Sequence, residues 1–292
     1  MRKYKFVTYL FKTIKFTMKL YRTASVFVIE KNGSFVSLPA TDWDKLLNRP
    51  QLLEFLSTSF EAGTKTSIFP DAAILAPIVS QEVWASGVTY LHSKTARMEE
   101  SKDAGGGDFY DRVYEAERPE LFFKATAYRT VGPNEHIRIR KDSHWNVPEP
   151  ELTLFVNNTG ELIGYTVGND VSSRDIEGEN PLYLPQAKSY DKSAALGPCI
   201  FFSDELIPID TKIDIAIVRD DKTVFNGQTS LTQMKRKLPE LVQYLTRECS
   251  FPNGVFLMTG TGIVPPDEFS MISGDRVEIT IEHIGTLINT VE

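Results

Sequence analysis

Trp145-Asn146-Val147-Pro148-Glu149-Pro150-Glu151-Leu152-Thr153-Leu154-Phe155-Val156 runs from a polar, proline-stiffened start into an apolar stretch. Its two glutamates set the reading of the whole chain. In an extended strand, residues two apart project from the same face. Glu149 and Glu151 can therefore aim two oxygens at one point, with Pro150 stiffening the backbone between them. A third carboxylate, Asp170 of Gly168-Asn169-Asp170, would complete a hard-cation site, because Mg²⁺ and Ca²⁺ take oxygen ligands and Mg²⁺ keeps waters that a substrate can displace. Lys188 follows it. The rival reading of the same triplet is an edge strand carrying exposed acids, and spacing alone does not bring Asp170 to the glutamates.

Working outward, the flanking pattern is one of short strands. The expected set is Leu121 to Lys124, Ile137 to Arg140, Leu152 to Val156, Leu162 to Val167, Cys199 to Phe202, Ile213 to Arg219, Lys222 to Asn226, Val255 to Thr259 and Arg276 to Ile281. One helix is predicted from about Met234 to Arg247, with Pro239 tolerated in its first turn. Upstream, Val83 to Tyr90 reads as a strand. Two helices are predicted after it, Leu91 to Lys102 and Phe109 to Glu117, hinged by Asp103-Ala104-Gly105-Gly106-Gly107-Asp108. Such a hinged pair reads either as a lid over a site or as a surface loop. From Tyr21 to Leu38 short strands flank an Asn32-Gly33 turn, a hairpin signal. Asp42 to Thr58 carries an apolar face at helical spacing. Regular βαβ alternation is lacking, which predicts an α+β fold with a large mixed-sheet system. The expected organisation is a basic extension over residues 1–17, a small unit over 18–79 and the main body over 80–292.

Composition narrows the function classes. Of 292 residues, 41% are hydrophobic and 24% charged, an ordinary globular balance, while a net charge of -7 argues against general nucleic-acid affinity. No apolar run approaches the roughly 20 residues that span a bilayer. Met1 to Phe16 mixes Arg2, Lys3, Lys5, Lys12 and Lys15 with aromatic residues and lacks the uninterrupted apolar core of a secretory signal. It reads as a start-site extension before Met18, with a membrane-surface helix as the rival. Cys199 and Cys249 lie far apart, so neither zinc nor a disulfide framework is indicated, and a cytoplasmic setting is expected.

Several local sequences then occur in order: the Glu149/Glu151 stretch; Gly164-Tyr165-Thr166-Val167-Gly168-Asn169-Asp170-Val171-Ser172-Ser173-Arg174-Asp175; Lys188; Gly197-Pro198; Thr259-Gly260-Thr261-Gly262; and Gly274-Asp275-Arg276-Val277-Glu278-Ile279 with Ile284-Gly285-Thr286-Leu287-Ile288-Asn289. Together they resemble the fumarylacetoacetate hydrolase superfamily over roughly residues 80 to 292. Glu179-Asn180-Pro181-Leu182-Tyr183-Leu184-Pro185-Gln186-Ala187-Lys188, Arg118-Pro119-Glu120-Leu121-Phe122-Phe123-Lys124-Ala125 and Trp84-Ala85-Ser86-Gly87-Val88-Thr89-Tyr90 resemble its branch that dehydrates 2-keto-3-deoxy sugar acids. The resemblance implies a divalent metal, usually Mg²⁺ with Mn²⁺ or Ca²⁺ as substitutes, on Glu149, Glu151 and Asp170. It also implies an active-site lysine at Lys188 and assembly into a homodimer or homotetramer. Hydrolases of the superfamily commonly carry a water-activating His and Glu where this chain has Ser93 and Ala96. His92 sits one position before Ser93, rotated by about 100 degrees on a helix, which fits a surface or packing role.

The implied reaction is dehydration of a 2-keto-3-deoxy sugar acid, such as 2-dehydro-3-deoxy-D-arabinonate, to 2,5-dioxopentanoate. The C2 ketone makes C3 acidic, and a chelated metal would stabilise the developing enolate. Lys188 is the candidate base. Glu120, beside Pro119 and an apolar run, is the candidate acid, or a base acting through water. Thr261, Gly260, Arg174 and Ser86 are the candidate substrate contacts. Arg174 could equally pair with a metal-ligand carboxylate, or with Asp175 or Glu177. Lys124 stays ambiguous. His136, His144 and His283 lack metal-ligand spacing. The rival activity is hydrolysis of a C–C bond in a diketo acid, such as a 2,4-diketo-3-deoxy sugar acid or a fumarylpyruvate-like substrate. A catalytically silent small-ligand binder is a third reading.

Overall fold

The computed structural model describes residues 16–91 and 107–292, with side chains left out for 107–110. The basic stretch over 1–15, His92, Ser93, Ala96, the helix expected to run on from Leu91, and positions 103–106 of the glycine joint lie outside the described residues.

In chain order the strands begin with Thr17–Arg22 (β1), Val26–Lys31 (β2), Ser34–Pro39 (β3), Glu82–Ala85 (β4), Phe122–Thr126 (β5) and Thr130–Val131 (β6). His136–Ile137 (β7), Asn146–Val147 (β8), Pro150–Val156 (β9), Leu162–Asp170 (β10), Ser172–Ser173 (β11) and Ala194–Ser203 (β12) follow. Lys212–Arg219 (β13), Lys222–Ser230 (β14), Val255–Met258 (β15), Arg276–Ile281 (β16) and Gly285–Val291 (β17) complete the set. A ten-stranded sheet runs β3-β2-β1-β12-β10-β9-β15-β4-β5, with β6 added beside β12, and a five-stranded sheet runs β14-β13-β16-β17-β7. This is the expected strand-rich mixed-sheet α+β architecture.

β9 explains the layering. Its seven residues are all buried, because the strand is covered on both faces. Leu152, Leu154 and Val156 pack with Ile213, Ile215, Val277 and Leu287 of the five-stranded sheet. Phe155, on the opposite face, packs with Trp43, Leu47, Leu56 and Phe60. The outcome is helices, large sheet and small sheet in three layers. β9 lies between β10 and β15, so the edge-strand reading of Glu149 and Glu151 does not hold. Pro150 opens the strand, where a missing N–H is tolerated.

The boundary expected near residue 80 falls within one sheet: β1 pairs antiparallel with β12, Leu20 opposite Ile200, and β2 and β3 continue the same sheet. The Asn32-Gly33 hairpin is as read, both residues having positive φ (51 and 73 degrees). The single helix expected over Asp42 to Thr58 is instead two, Trp43–Leu47 and Leu52–Ala62. Pro50 lacks the N–H that a continuous helix would use, and Gln51 adopts a left-handed conformation. The helix expected over Met234 to Arg247 shortens to Leu238–Leu245, with Pro239 in its first turn. β17 and the short helices Arg174–Glu179 and Leu184–Lys188 were not expected from periodicity; five or six residues carry too few turns to show it. The strand expected over Val83 to Tyr90 ends at Ala85. Phe109 to Glu117 corresponds to the helix Gly107–Glu115.

Candidate metal and catalytic centre

β9 and β10 are antiparallel, and their register sets Gly168 opposite Glu151 and Asn169 opposite Pro150. The Asp170 amide donates to the Glu149 carbonyl at 3.0 Å, and the Asn169 side-chain oxygen accepts from the Glu149 amide at 3.2 Å. The start of β9 and the end of β10 thus meet, and oxygens of Glu149, Glu151 and Asp170 lie within 4.8 Å of one another, all three residues buried. β15 and β4 are parallel neighbours, and the loops leaving their C-terminal ends bring Ser86 to Val88 and Gly260 to Thr261 to the same rim.

Three cationic side chains face the three carboxylates. Lys188 Nζ donates to Glu149 Oε2 at 2.8 Å, Asp170 Oδ2 at 3.1 Å and the Ser172 hydroxyl at 2.5 Å. Arg174 Nη2 donates to Glu149 Oε1 at 2.8 Å. Arg174 thus pairs with a carboxylate of the triad, while Asp175 accepts from the Ser143 hydroxyl and the His144 amide. Lys124, which the sequence left ambiguous, belongs here too. Its Nζ pairs with Asp170 Oδ1 at 2.6 Å and donates to the Val171 carbonyl at 2.9 Å and to the Lys188 carbonyl. Phe122 and Lys124 alternate onto one face of β5: Lys124 grips the end of the Leu184–Lys188 helix, and the Phe122 ring lies 5.8 Å from Lys188 Nζ. Phe122 is not visible as a site residue in sequence and Lys124 is only an ambiguous one, since their placement depends on β5 packing against that helix.

Like Arg174, the other three candidate substrate contacts have partners within the protein. The Gly260 amide donates to Glu151 Oε2 at 2.6 Å, so it holds a triad carboxylate. Gly260 has φ of 92 degrees, and a Cβ there would lie 2.0 Å from Thr89 Oγ1, so the loop admits only glycine. The Ser86 hydroxyl donates to the Glu120 carbonyl at 2.9 Å. Thr261 Oγ1 exchanges hydrogen bonds with Ile263 in a local turn. Ser86, Arg174, Gly260 and Thr261 still line the same cleft as the triad and Lys188, with Gly87, Val88 and Phe122. Glu120 reaches the rim of this cleft: a Cβ on Gly87 would lie 2.0 Å from Glu120 Oε2. Val88 has φ of 53 degrees, rare for a β-branched residue. The adjacent Thr89 hydroxyl fixes this bend by donating to the Thr259 carbonyl at 2.7 Å.

The donor set fits a hard divalent cation. All three ligands are buried carboxylates, and Mg²⁺ with bonds of about 2.1 Å spans oxygens up to about 4.2 Å apart, close to the observed spread. Without a cation, burial first, then the charges of Asp170 and Glu149, push the Glu151 carboxyl well above the usual carboxylate range. A folded value above the unfolded 4.5 means that protonated Glu151 favours the fold. The metal-free protein is therefore expected to lose stability as pH rises from about 4.5 through the raised value. A bound dication offsets that cost, so the Mg²⁺-induced rise in Tm should grow between about pH 5 and pH 8. Thermal melts with EDTA and with Mg²⁺ check this, and a Tm difference that does not change with pH would contradict it.

Residues 82–292 match the family described as fumarylacetoacetate (FAA) hydrolase C-terminal, and the chain belongs to that family. Among curated relatives, the Haloferax volcanii protein named "Probable 2-keto-3-deoxyxylonate dehydratase" is 47% identical over 232 residues, 79% of each chain. The 2-dehydro-3-deoxy-D-arabinonate dehydratase of Saccharolobus solfataricus is 39% identical over 287 residues, covering 94% of this chain and 96% of that protein. A solved 2-keto-3-deoxy-D-arabinonate dehydratase, complexed with magnesium and 2,5-dioxopentanoate, superposes with a TM-score of 0.79 at 37% identity, covering 95% of this chain and 99% of that one. No helix among the described residues is long and apolar enough to cross a membrane.

Proposed function

We infer that this chain is a Mg²⁺-dependent hydro-lyase that removes water from a 2-keto-3-deoxy pentonic acid and yields 2,5-dioxopentanoate. The observation that carries this reading is the buried cluster in which Glu149, Glu151 and Asp170 converge while Lys188 Nζ reaches two of them. Three carboxylates against Lys124, Lys188 and Arg174 leave the cluster near neutrality. Adding a dication then suits an anionic keto acid whose charge grows as C3 loses its proton. Mg²⁺ bound to the triad supplies the Lewis acidity that polarises the keto oxygen.

The protein groups do the rest. Lys188, as its free amine, is proposed to take the C3 proton, since among the described residues it is the one amine that lines the cleft beside the triad. Glu120, at the rim against Gly87, is proposed to give a proton to the departing C4 hydroxyl, with Ser86 fixing its main chain. Loss of water leaves a C3–C4 double bond conjugated to the C2 ketone. C5 is then acidic through that conjugation, and proton transfer from C5 to C3 turns the terminal alcohol into an enol that settles as the aldehyde. Phe122 presents an apolar wall that limits water beside Lys188. Assembly as a homodimer or homotetramer and a cytoplasmic setting are part of the same proposal; the free thiol of exposed Cys249 suits a reducing compartment.

C–C hydrolysis is the rival, and it needs an activated water. Ser93 and Ala96 stand where hydrolases of the family carry the water-activating pair, which favours elimination. The expected ratio of kcat/KM for 2-keto-3-deoxy-pentonate over a 2,4-diketo-3-deoxy acid is above about 100, the scale that one general acid–base group contributes. Steady-state kinetics on both substrates measures it, and the reverse order would assign the hydrolase.

A further inference from the structure

Gly87 lines the cleft together with the triad and Lys188. Its φ lies outside the left-handed region, so the backbone torsion does not call for glycine there. Glu120 does. A Cβ built on Gly87 meets Glu120 Oε2 at 2.0 Å, Cδ at 2.6 Å and Oε1 at 3.3 Å, and these are its three nearest atoms among the described residues. Gly260, in the loop after β15, differs: its φ of 92 degrees demands glycine whatever surrounds it. Ser86 holds the main chain of Glu120, its hydroxyl donating to the Glu120 carbonyl at 2.9 Å. The Ser86 amide in turn donates to the Met258 carbonyl at 2.9 Å. Met258 stands opposite Thr153 in the β15–β9 ladder, and Thr153 lies on β9 just beyond Glu151. Ser86 and Gly87 therefore tie Glu120 to the sheet that carries the metal ligands.

We propose, on the reading of Glu120 as the acid of the dehydration, that Gly87 is its positioning residue: the space left by the missing side chain seats the Glu120 carboxyl at the cleft rim. A side-chain carbon essentially never comes within 3.0 Å of such a neighbour, so a methyl at position 87 must move Oε2 by about 1 Å or more. A misplacement of about 1 Å at a reacting group can cost about 100-fold in rate. The same methyl costs the fold little. The atoms it meets are the far end of a flexible side chain, which can swing aside into another rotamer. Loss of rate without loss of stability is thus the mark of the seat.

Steady-state kinetics, Mg²⁺ titration and thermal melts of Gly87→Ala, alone and combined with changes at Glu120, test this. Gly87→Ala is expected to lower kcat by about 100-fold. KM and the Mg²⁺ dissociation constant should stay within about threefold of wild type, and Tm within about 3 °C. Glu120→Asp brings its carboxyl one methylene short and so clears the methyl. Made in the wild type it should lower kcat, whereas added to Gly87→Ala it should raise kcat by about tenfold. A glycine that served packing alone would give Glu120→Asp the same sign in both proteins. Added to Glu120→Ala, Gly87→Ala should change kcat by less than about twofold, because no carboxyl remains to displace. Unchanged kcat in Gly87→Ala, a rise in KM alone, the same sign for Glu120→Asp in both proteins, or a full further loss on Glu120→Ala would overturn the proposal. Glu120→Gln keeps the two readings apart. Full activity in that variant would overturn the acid assignment and the seat with it, while an inactive Glu120→Gln beside a fully active Gly87→Ala would overturn the seat alone.

Discussion

Glu151→Gln is expected to abolish Mg²⁺-dependent turnover and to weaken Mg²⁺ binding by more than roughly 100-fold, since changes one shell further out already cost 10- to 100-fold. The same substitution should leave the metal-free protein as stable as wild type or more so. Glu151 is buried beside Glu149 and Asp170, and those neighbours raise its cost as an anion. A neutral amide of the same shape removes that repulsion and can still accept from the Gly260 amide, now 2.6 Å from Glu151 Oε2. The signature is thus a pair of opposite changes: melts in EDTA that match or exceed wild type, and melts in Mg²⁺ that no longer rise. Retained magnesium dependence in both assays would remove Glu151 from the metal site.

Lys188→Met should act in the reverse sense. Its ammonium serves Glu149, Asp170 and Ser172, and methionine leaves two buried carboxylates with one donor fewer each. Breaking a buried pair from one side costs about 3–5 kcal/mol, so the metal-free variant should melt well below wild type. Mg²⁺ restores positive charge at the same oxygens, so the Mg²⁺-induced rise in Tm should be larger than in wild type. Turnover is expected to fall by about 10²- to 10⁴-fold, the usual contribution of a positioned base. A variant that binds substrate, takes up Mg²⁺ and keeps full activity would eliminate Lys188 as the base.

These two contrasts mark how far the sequence reaches. Glu149 and Glu151 were legible because a strand has period two and Pro150 opens it. Asp170 was legible only through the ordered motifs, since the antiparallel register that sets it at Glu149 is a pairing between strands. Lys124 was legible only as an ambiguous residue: one lysine in an apolar strand has no assigned partner until β5 is seen against the Leu184–Lys188 helix. Gly260 and Ser86 were singled out as substrate contacts and line the cleft, but their partners were not legible, because loop hydrogen bonds depend on which strand ends meet. The same limit governs the fold. Periodicity gave most strands of the two sheets, while the pairing of β1 with β12 joins segments far apart in sequence, and nothing local to either announces it.

NMR identification of the product from 2-keto-3-deoxy-pentonate with Mg²⁺ tests the central claim most directly. The predicted result is 2,5-dioxopentanoate with all five carbons retained, formed only when the metal is present and lost in Glu151→Gln. Pyruvate and a two-carbon fragment would mean that a carbon–carbon bond had been cut, and would contradict it.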